Sequence, residues 1–163
     1  VIPTYERQDF ILRQLIYWND SGIRLLILDG SEESLPKNIL FIANELENVT
    51  YLHLPISFEN RLNKAINYIE TPYVALLSDD EFLLKSSLKK LAYRLDQDKN
   101  LSGCIGQSLR FNFHRDKDVI DYSRGYPHLG FRAEHKEVLE RIKYAMNPYN
   151  AATAAGLLRK EVW

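Results

Sequence analysis

Apolar residues along the chain switch between two spacings. "VIP" opens as the tail of a strand, and Asp9 is placed to cap a helix reaching about Trp18, with Ile11, Leu15 and Trp18 on one face. From Ile23, "IRLLILDG" is a continuous apolar strand that ends in Asp29 and Gly30. Pro36 suits the first turn of a second helix, along which Ile39, Ile42, Ala43 and Leu46 recur at helical spacing. "VTYLHL" from Val49 predicts a third strand. Ser57 then caps a helix carrying Leu62, Ala65, Ile66 and Ile69, which Thr71-Pro72 ends. "YVALLS" predicts a fourth strand, Leu88, Leu91, Ala92 and Leu95 mark the helix after it, and "GCIGQSLRFNF" reads as a fifth strand with a bulge at Gly106.

After Phe113 the pattern weakens into a polar, aromatic and irregular stretch. A last helix is predicted from about Lys136, with Val138, Ile142 and Ala145 inward, and Asn147-Pro148 stops it. "NAATAAGLLRKEVW" reads as the start of a strand and a turn. Apolar strands alternating with amphipathic helices predict an α/β fold, a three-layer α/β/α arrangement around a mostly parallel sheet. Ligands of such sheets sit beyond the carboxyl ends of the strands. Those ends read "PTYER", "DGSEE" and "SDDE", so Asp29, Asp79 and Asp80 converge on one edge. Convergent carboxylates repel one another unless a cation or a donor-rich ligand joins them. A hard divalent ion fits, because Mg²⁺ is commonly held by one or two carboxylates plus phosphate oxygens. The expectation is a metal-diphosphate site.

Composition narrows the picture. The chain has 163 residues, enough for one domain, with 45% hydrophobic and 26% charged residues. A net charge of −1 gives no global field for nucleic acid or an acidic membrane. No apolar run approaches the roughly 18 residues of a membrane span. Cys104 stands alone, so no intrachain disulfide forms, which fits a reducing, cytoplasmic setting. The chain opens on Val1 inside a strand and stops at Trp163 inside an element, which predicts a fragment of a longer protein.

"VIPTYERQDFILRQL", "IRLLILDGSEE", "FENRLNKAI" and "TPYVALLSDDEFL", in that order, resemble the nucleotide-binding half of a family 2 glycosyltransferase with the Rossmann-like GT-A fold. The resemblance covers roughly residues 1–100; residues 101–163 are similar, less distinctively, to part of the acceptor side of some bacterial members that build polysaccharides. It implies a nucleotide-sugar donor, UDP-linked in the first instance, a carbohydrate or other hydroxyl acceptor, and Mn²⁺ or Mg²⁺. It also implies inversion at the anomeric carbon. Thr4 and Tyr5 would sit against the nucleoside, with Tyr5 stacking on the base, and Pro3 and Arg7 of the same segment would contact the donor. Asp29 would accept a hydrogen from the base, and Arg61 would lie near base and phosphates. Asp79 would meet the ribose or help position the metal, Asp80 would be the metal ligand, and the pair would carry the catalytic chemistry. Ser78 departs from the pattern, standing where many members carry the first acid of D-x-D. The base of the family usually lies downstream of these elements, which predicts that the present chain binds donor better than it transfers sugar. Asp121 and Glu134 are the substitutes within it.

Plainer readings stand beside these. Asp79 and Asp80 could cap the next helix, Asp29-Gly30 could be only a turn, Arg61 could pair in solvent with Glu59 or Glu70, and Tyr5 could cover the sheet end. His53, His114, His128 and His135 show no zinc spacing. Tyr122, Tyr126, Tyr144 and Tyr149 read as core packing before sugar stacking, and Cys104 as an inert core residue. Two other functions are open: a non-catalytic nucleotide-sugar-binding domain, and a sugar-phosphate nucleotidyltransferase. Against the latter, "PTYERQ" lacks its glycine-rich loop.

Overall fold

The structure, a computed structural model, describes residues 1–114, 116, 118–124, 132–147 and 156–163. The chain divides into two compact units, residues 1–104 with 157–163, and residues 105–156.

The first unit opens with β1 (Ile2–Thr4), α1 (Gln8–Trp18), β2 (Leu25–Asp29), α2 (Lys37–Glu45) and β3 (Val49–His53). It continues with α3 (Phe58–Ala65), β4 (Tyr73–Ala75), α4 (Lys85–Gln97) and β5 (Gly103–Cys104). β1, β2 and β3 pair in parallel, with Ile2 opposite Ile27 and Asp29 opposite His53. Beside β1, the Val1 nitrogen donates to Ala75 O (2.8 Å) and Leu77 N–H donates to Val1 O (3.0 Å). One residue bonded to both j−1 and j+1 is the parallel pattern, so β4 lies next to β1 and runs with it. The C-terminal strand β8 (Leu157–Arg159) returns to this unit and runs antiparallel to both β4 and β5. A short 3₁₀ turn, Lys160–Val162, follows.

β2 is buried along its whole length, which is why it reads as one apolar run. Its alternate residues feed two cores. Leu25 and Ile27 join Ile11, Leu15 and Trp18 of α1, Ile39 and Ala43 of α2, and Leu88 and Leu95 of α4. Leu26 and Leu28 face the other way, with Ala65 of α3, Ile69 and Val74.

Several local expectations change. Asp9 is not the cap of α1; it lies in the first turn, where a carboxylate still complements the helix dipole. Ile42, beside the buried stripe of α2, and Ile66, the residue just past the end of α3, are exposed. The predicted fifth strand breaks into β5 and a separate strand, β6 (Leu109–His114). In the second unit β6 pairs antiparallel with β7 (Val119–Arg124), in a stretch where no strand was predicted. α5 (Val138–Met146) is present, but Val138 and Ile142 are exposed. Tyr122 and Tyr144 are exposed as well, not core; Tyr126, His128 and Tyr149 lie outside the described residues. Cys104 is half-buried, and burial raises its thiol pKa, in keeping with an unreactive residue. Among the described residues no helix is long and apolar enough to cross a membrane.

Arg159 ties β8 to the end of α4. Its Nη2 donates to Leu95 O and Asp98 O, and its Nε donates to Leu101 O at 2.8 Å. The fork serves carbonyls that a helix C-terminus leaves open. We expect Arg159→Ala to lower unfolding free energy by about 2–3 kcal/mol in urea melts, since hydrogen bonds to charged groups contribute about 1.5–3 kcal/mol. Arg159→Lys should recover little of it, because one ammonium cannot span three carbonyls.

Candidate functional site

The carboxyl ends of β1, β2 and β4 meet at one edge. Asp79 lies just beyond β4 and is only 4% exposed. Thr4 Oγ1, at the end of β1, donates to Asp79 Oδ2 at 2.7 Å. On the other oxygen, Arg7 Nη1 approaches Asp79 Oδ1 at 3.1 Å, while Arg7 Nη2 donates to Asp80 Oδ2 at 2.9 Å. Asp80 Oδ1 accepts from Ser78 Oγ at 2.6 Å. One guanidinium therefore spans both carboxylates, one buried and one 44% exposed. The Ser78 hydroxyl and then Arg7 hold the Asp80 carboxyl below its ordinary pKa, and the same contact raises that of Arg7. The acids do not cap α4, whose N-cap position is Leu84.

The loop between β1 and α1 is bent to make this contact. Glu6 sits at φ 53°, a left-handed conformation that costs a non-glycine residue free energy. Two bonds hold it there: Glu6 N–H donates to Ser31 Oγ (2.8 Å), and Glu6 Oε1 accepts from Glu32 N–H (3.0 Å). Arg7 then turns back toward the acids, its guanidinium 4.2 Å from the Phe10 ring centre. Tyr5, just before the bend, is exposed, and Pro3 is half-buried in β1.

Asp29 lies underneath. It is 0% exposed, and its oxygens are taken by Ser31 N–H (2.9 Å), Ser31 Oγ (2.6 Å) and Tyr51 OH (2.7 Å). The bond to the amide two residues on is an Asx-turn, the plainer of the two readings of Asp29-Gly30. Burial, with the Asp29 carboxylate beside it, pushes the Tyr51 phenol well above its ordinary pKa, so it stays a donor. Oδ2 keeps a spare lone pair, but at 0% exposure contact between Asp29 and a base requires the cover over it to move.

Arg61 is buried too, at 5% exposure, which excludes the solvated pair; Glu70 pairs with Arg24 instead. From α3 its Nη1 donates to Thr4 O (2.5 Å) and Leu28 O (2.9 Å), closing the ends of β1 and β2. Gly30 is required beside it: a Cβ there would lie 2.6 Å from Arg61 Nη1 and 2.7 Å from Nε. Among the described residues, Arg61 Nε is the buried side-chain polar atom that finds no partner.

One further residue gave no motif signal. Gln14, on the buried stripe of α1, is 0% exposed, and its Nε2 donates to Asp79 O and Glu81 O, both at 2.8 Å. Its Oε1 accepts from Trp18 Nε1 at 2.9 Å. The side chain is a bracket for the backbone that carries the acid pair. A polar residue interrupting the apolar stripe Ile11, Leu15, Trp18 was the one available clue.

In the second unit, Asp121 accepts from or is charge-paired with His114 Nε2 at 2.8 Å, and Glu134 is exposed. Among the described residues no group of three or more His, Cys, Asp or Glu side chains could hold a metal. A hard ion can also attach through one accessible carboxylate, with phosphate and water as its other ligands. Asp80 fits it, being ionised and open to solvent.

A mostly parallel sheet with its acids and basic side chains gathered at the strand carboxyl ends defines an α/β protein whose ligand edge lies there. The family model described as Glycosyl transferase family 2 matches residues 1–153, and the chain belongs to that family: it is a glycosyltransferase with a GT-A α/β fold. No curated protein matches it.

Two measurements check this geometry. Gln14→Met keeps the volume but strips the bracket, leaving acceptors unpaired at about 1–3 kcal/mol each when buried; urea melts should show a loss of that order. For Asp80, whose folded pKa is depressed, the stabilising contribution is present above its unfolded value and fades as pH falls through the folded one. Carboxyl NMR titration should place its midpoint below the ordinary range, and Arg7→Gln should move that midpoint up.

Proposed function

We propose that the domain transfers a sugar from a UDP-linked donor to an acceptor hydroxyl, inverting the anomeric carbon, with Asp80 as the attachment point for Mn²⁺ or Mg²⁺. The reading includes the complete three-layer α/β/α arrangement. The observation that carries it is the connected set Thr4, Arg7, Asp79 and Asp80 at the ends of β1 and β4, in a chain of this family. When bound, the ion offsets charge developing on the departing diphosphate. The chain's own side chains do the rest. Tyr5 is exposed at the β1 end and offers a ring for stacking on the base. Asp79, buried beside Thr4, is set to accept from a ribose hydroxyl once Arg7 moves. Arg61 and Asp29 shape the nucleoside pocket from below, through the strand-end carbonyls and through Ser31 and Tyr51. Arg61 Nε, buried without an acceptor, is a donor available to a ligand approaching that floor.

Asp80→Ala should abolish the metal-dependent part of UDP affinity while thermal melts stay near wild type, because the side chain is nearly half exposed. Titration calorimetry with UDP, with and without Mn²⁺, decides this. Unchanged affinity in a folded variant would remove Asp80 from the site. Asp29→Ala should behave differently: it frees Tyr51 and Ser31, so melting temperature and UDP affinity should fall together.

A further inference from the structure

We infer that Arg7 is a resident counter-cation of the acid pair, holding Asp79 and Asp80 in the place a divalent ion takes, and that loading of the site with ion and diphosphate releases it to the phosphates. The inference rests on the reading of Asp80 as the metal attachment point. Its basis is the geometry around one guanidinium. Arg7 Nη1 and Nη2 reach one oxygen of each acid, at 3.1 and 2.9 Å. The remaining oxygens accept from Thr4 and Ser78. Three of the four carboxylate oxygens therefore accept a hydrogen bond and the fourth, Asp79 Oδ1, faces a guanidinium nitrogen without any ion, so a buried carboxylate that would otherwise be costly is matched.

Mg²⁺ binds a carboxylate oxygen at about 2.0–2.1 Å, closer than the 2.9 Å at which Arg7 Nη2 stands from Asp80 Oδ2. Each oxygen keeps a second lone pair, so the ion can reach Asp80 while Arg7 is present, but a divalent ion and a guanidinium on one carboxylate repel each other. That repulsion favours withdrawal of Arg7, whose side chain is 40% exposed and rests on the Phe10 ring rather than in the core. A bare ion offers the displaced guanidinium nothing. A nucleoside diphosphate offers oxygens that match its planar fork. Arg7 thus opposes the ion alone and favours the ion with diphosphate, which makes the two ligands bind as a pair. The unloaded enzyme is correspondingly poor at holding free metal.

The test uses Mn²⁺ alone, with free ion counted by electron paramagnetic resonance, on wild type, Arg7→Gln, Arg7→Lys, Asp80→Asn and the Arg7→Gln/Asp80→Asn double variant. Arg7→Gln should bind Mn²⁺ tighter by about tenfold or more, as expected for removing a like charge a few ångströms from the ion. Arg7→Lys, which keeps the charge, should stay near wild type, and the double variant should lose the gain. Adding UDP should raise Mn²⁺ affinity by a smaller factor in Arg7→Gln than in wild type. If Arg7→Gln binds no tighter while Asp80→Asn still weakens binding, the counter-cation role is overturned and the metal role of Asp80 survives. If Asp80→Asn changes nothing in either background, both fall.

Discussion

A carboxylate almost out of water at the end of a parallel strand sets the terms for everything around it. Asp79 is 4% exposed. Left unmatched, such a group would cost several kcal/mol. Its neighbours follow from that requirement: Thr4 from the adjacent strand end, Arg7 from a loop forced through a left-handed residue, and Gln14 gripping the backbone on either side of Asp80. Each of these groups is local to the opening segment, yet each is more than sixty residues away from the acid in sequence.

Beneath the acids lies a second buried polar layer. Arg61 closes the carbonyl ends of β1 and β2, and Gly30 is the residue that leaves it room. Asp29 gathers Ser31 and Tyr51, and Ser31 in turn supports the bend at Glu6. A load path runs from Tyr51 on β3 to the segment that presents Tyr5 and Arg7. Low-dielectric surroundings strengthen such a network when its members are satisfied. A buried polar floor under the site suits a transferase, since donor geometry must be held while ligands enter and leave.

Much of the first unit was legible in residue order. The switch between strand and helix spacing marks β1 through α4, because one buried face per helix and two per central strand impose those periods. Ser57 capping α3 was readable for the same local reason: its hydroxyl accepts from Asn60 N–H three residues on. The break between β5 and β6, read together as one strand, and the strand β7 were not readable. A two-residue strand leaves no period to detect, and β7, Val-Ile-Asp-Tyr-Ser-Arg, lacks the clean alternation that β6 shows.

The sequence by itself determined the family, the strand-helix order and the identity of the acids at the strand ends, because those depend on residue types at short spacing. Tertiary structure alone decided what each polar group does. Asp29 and Asp80 look alike in the sequence, each an acid ending an apolar run. One is sealed under Ser31 and Tyr51; the other stays half open, shared by Ser78 and Arg7. Ser31 and Ser78 are each two residues from their acid, so the difference comes from the distant partners, Tyr51 and Arg7, brought in by sheet order and by the loop after β1, across separations over which no local pattern carries information.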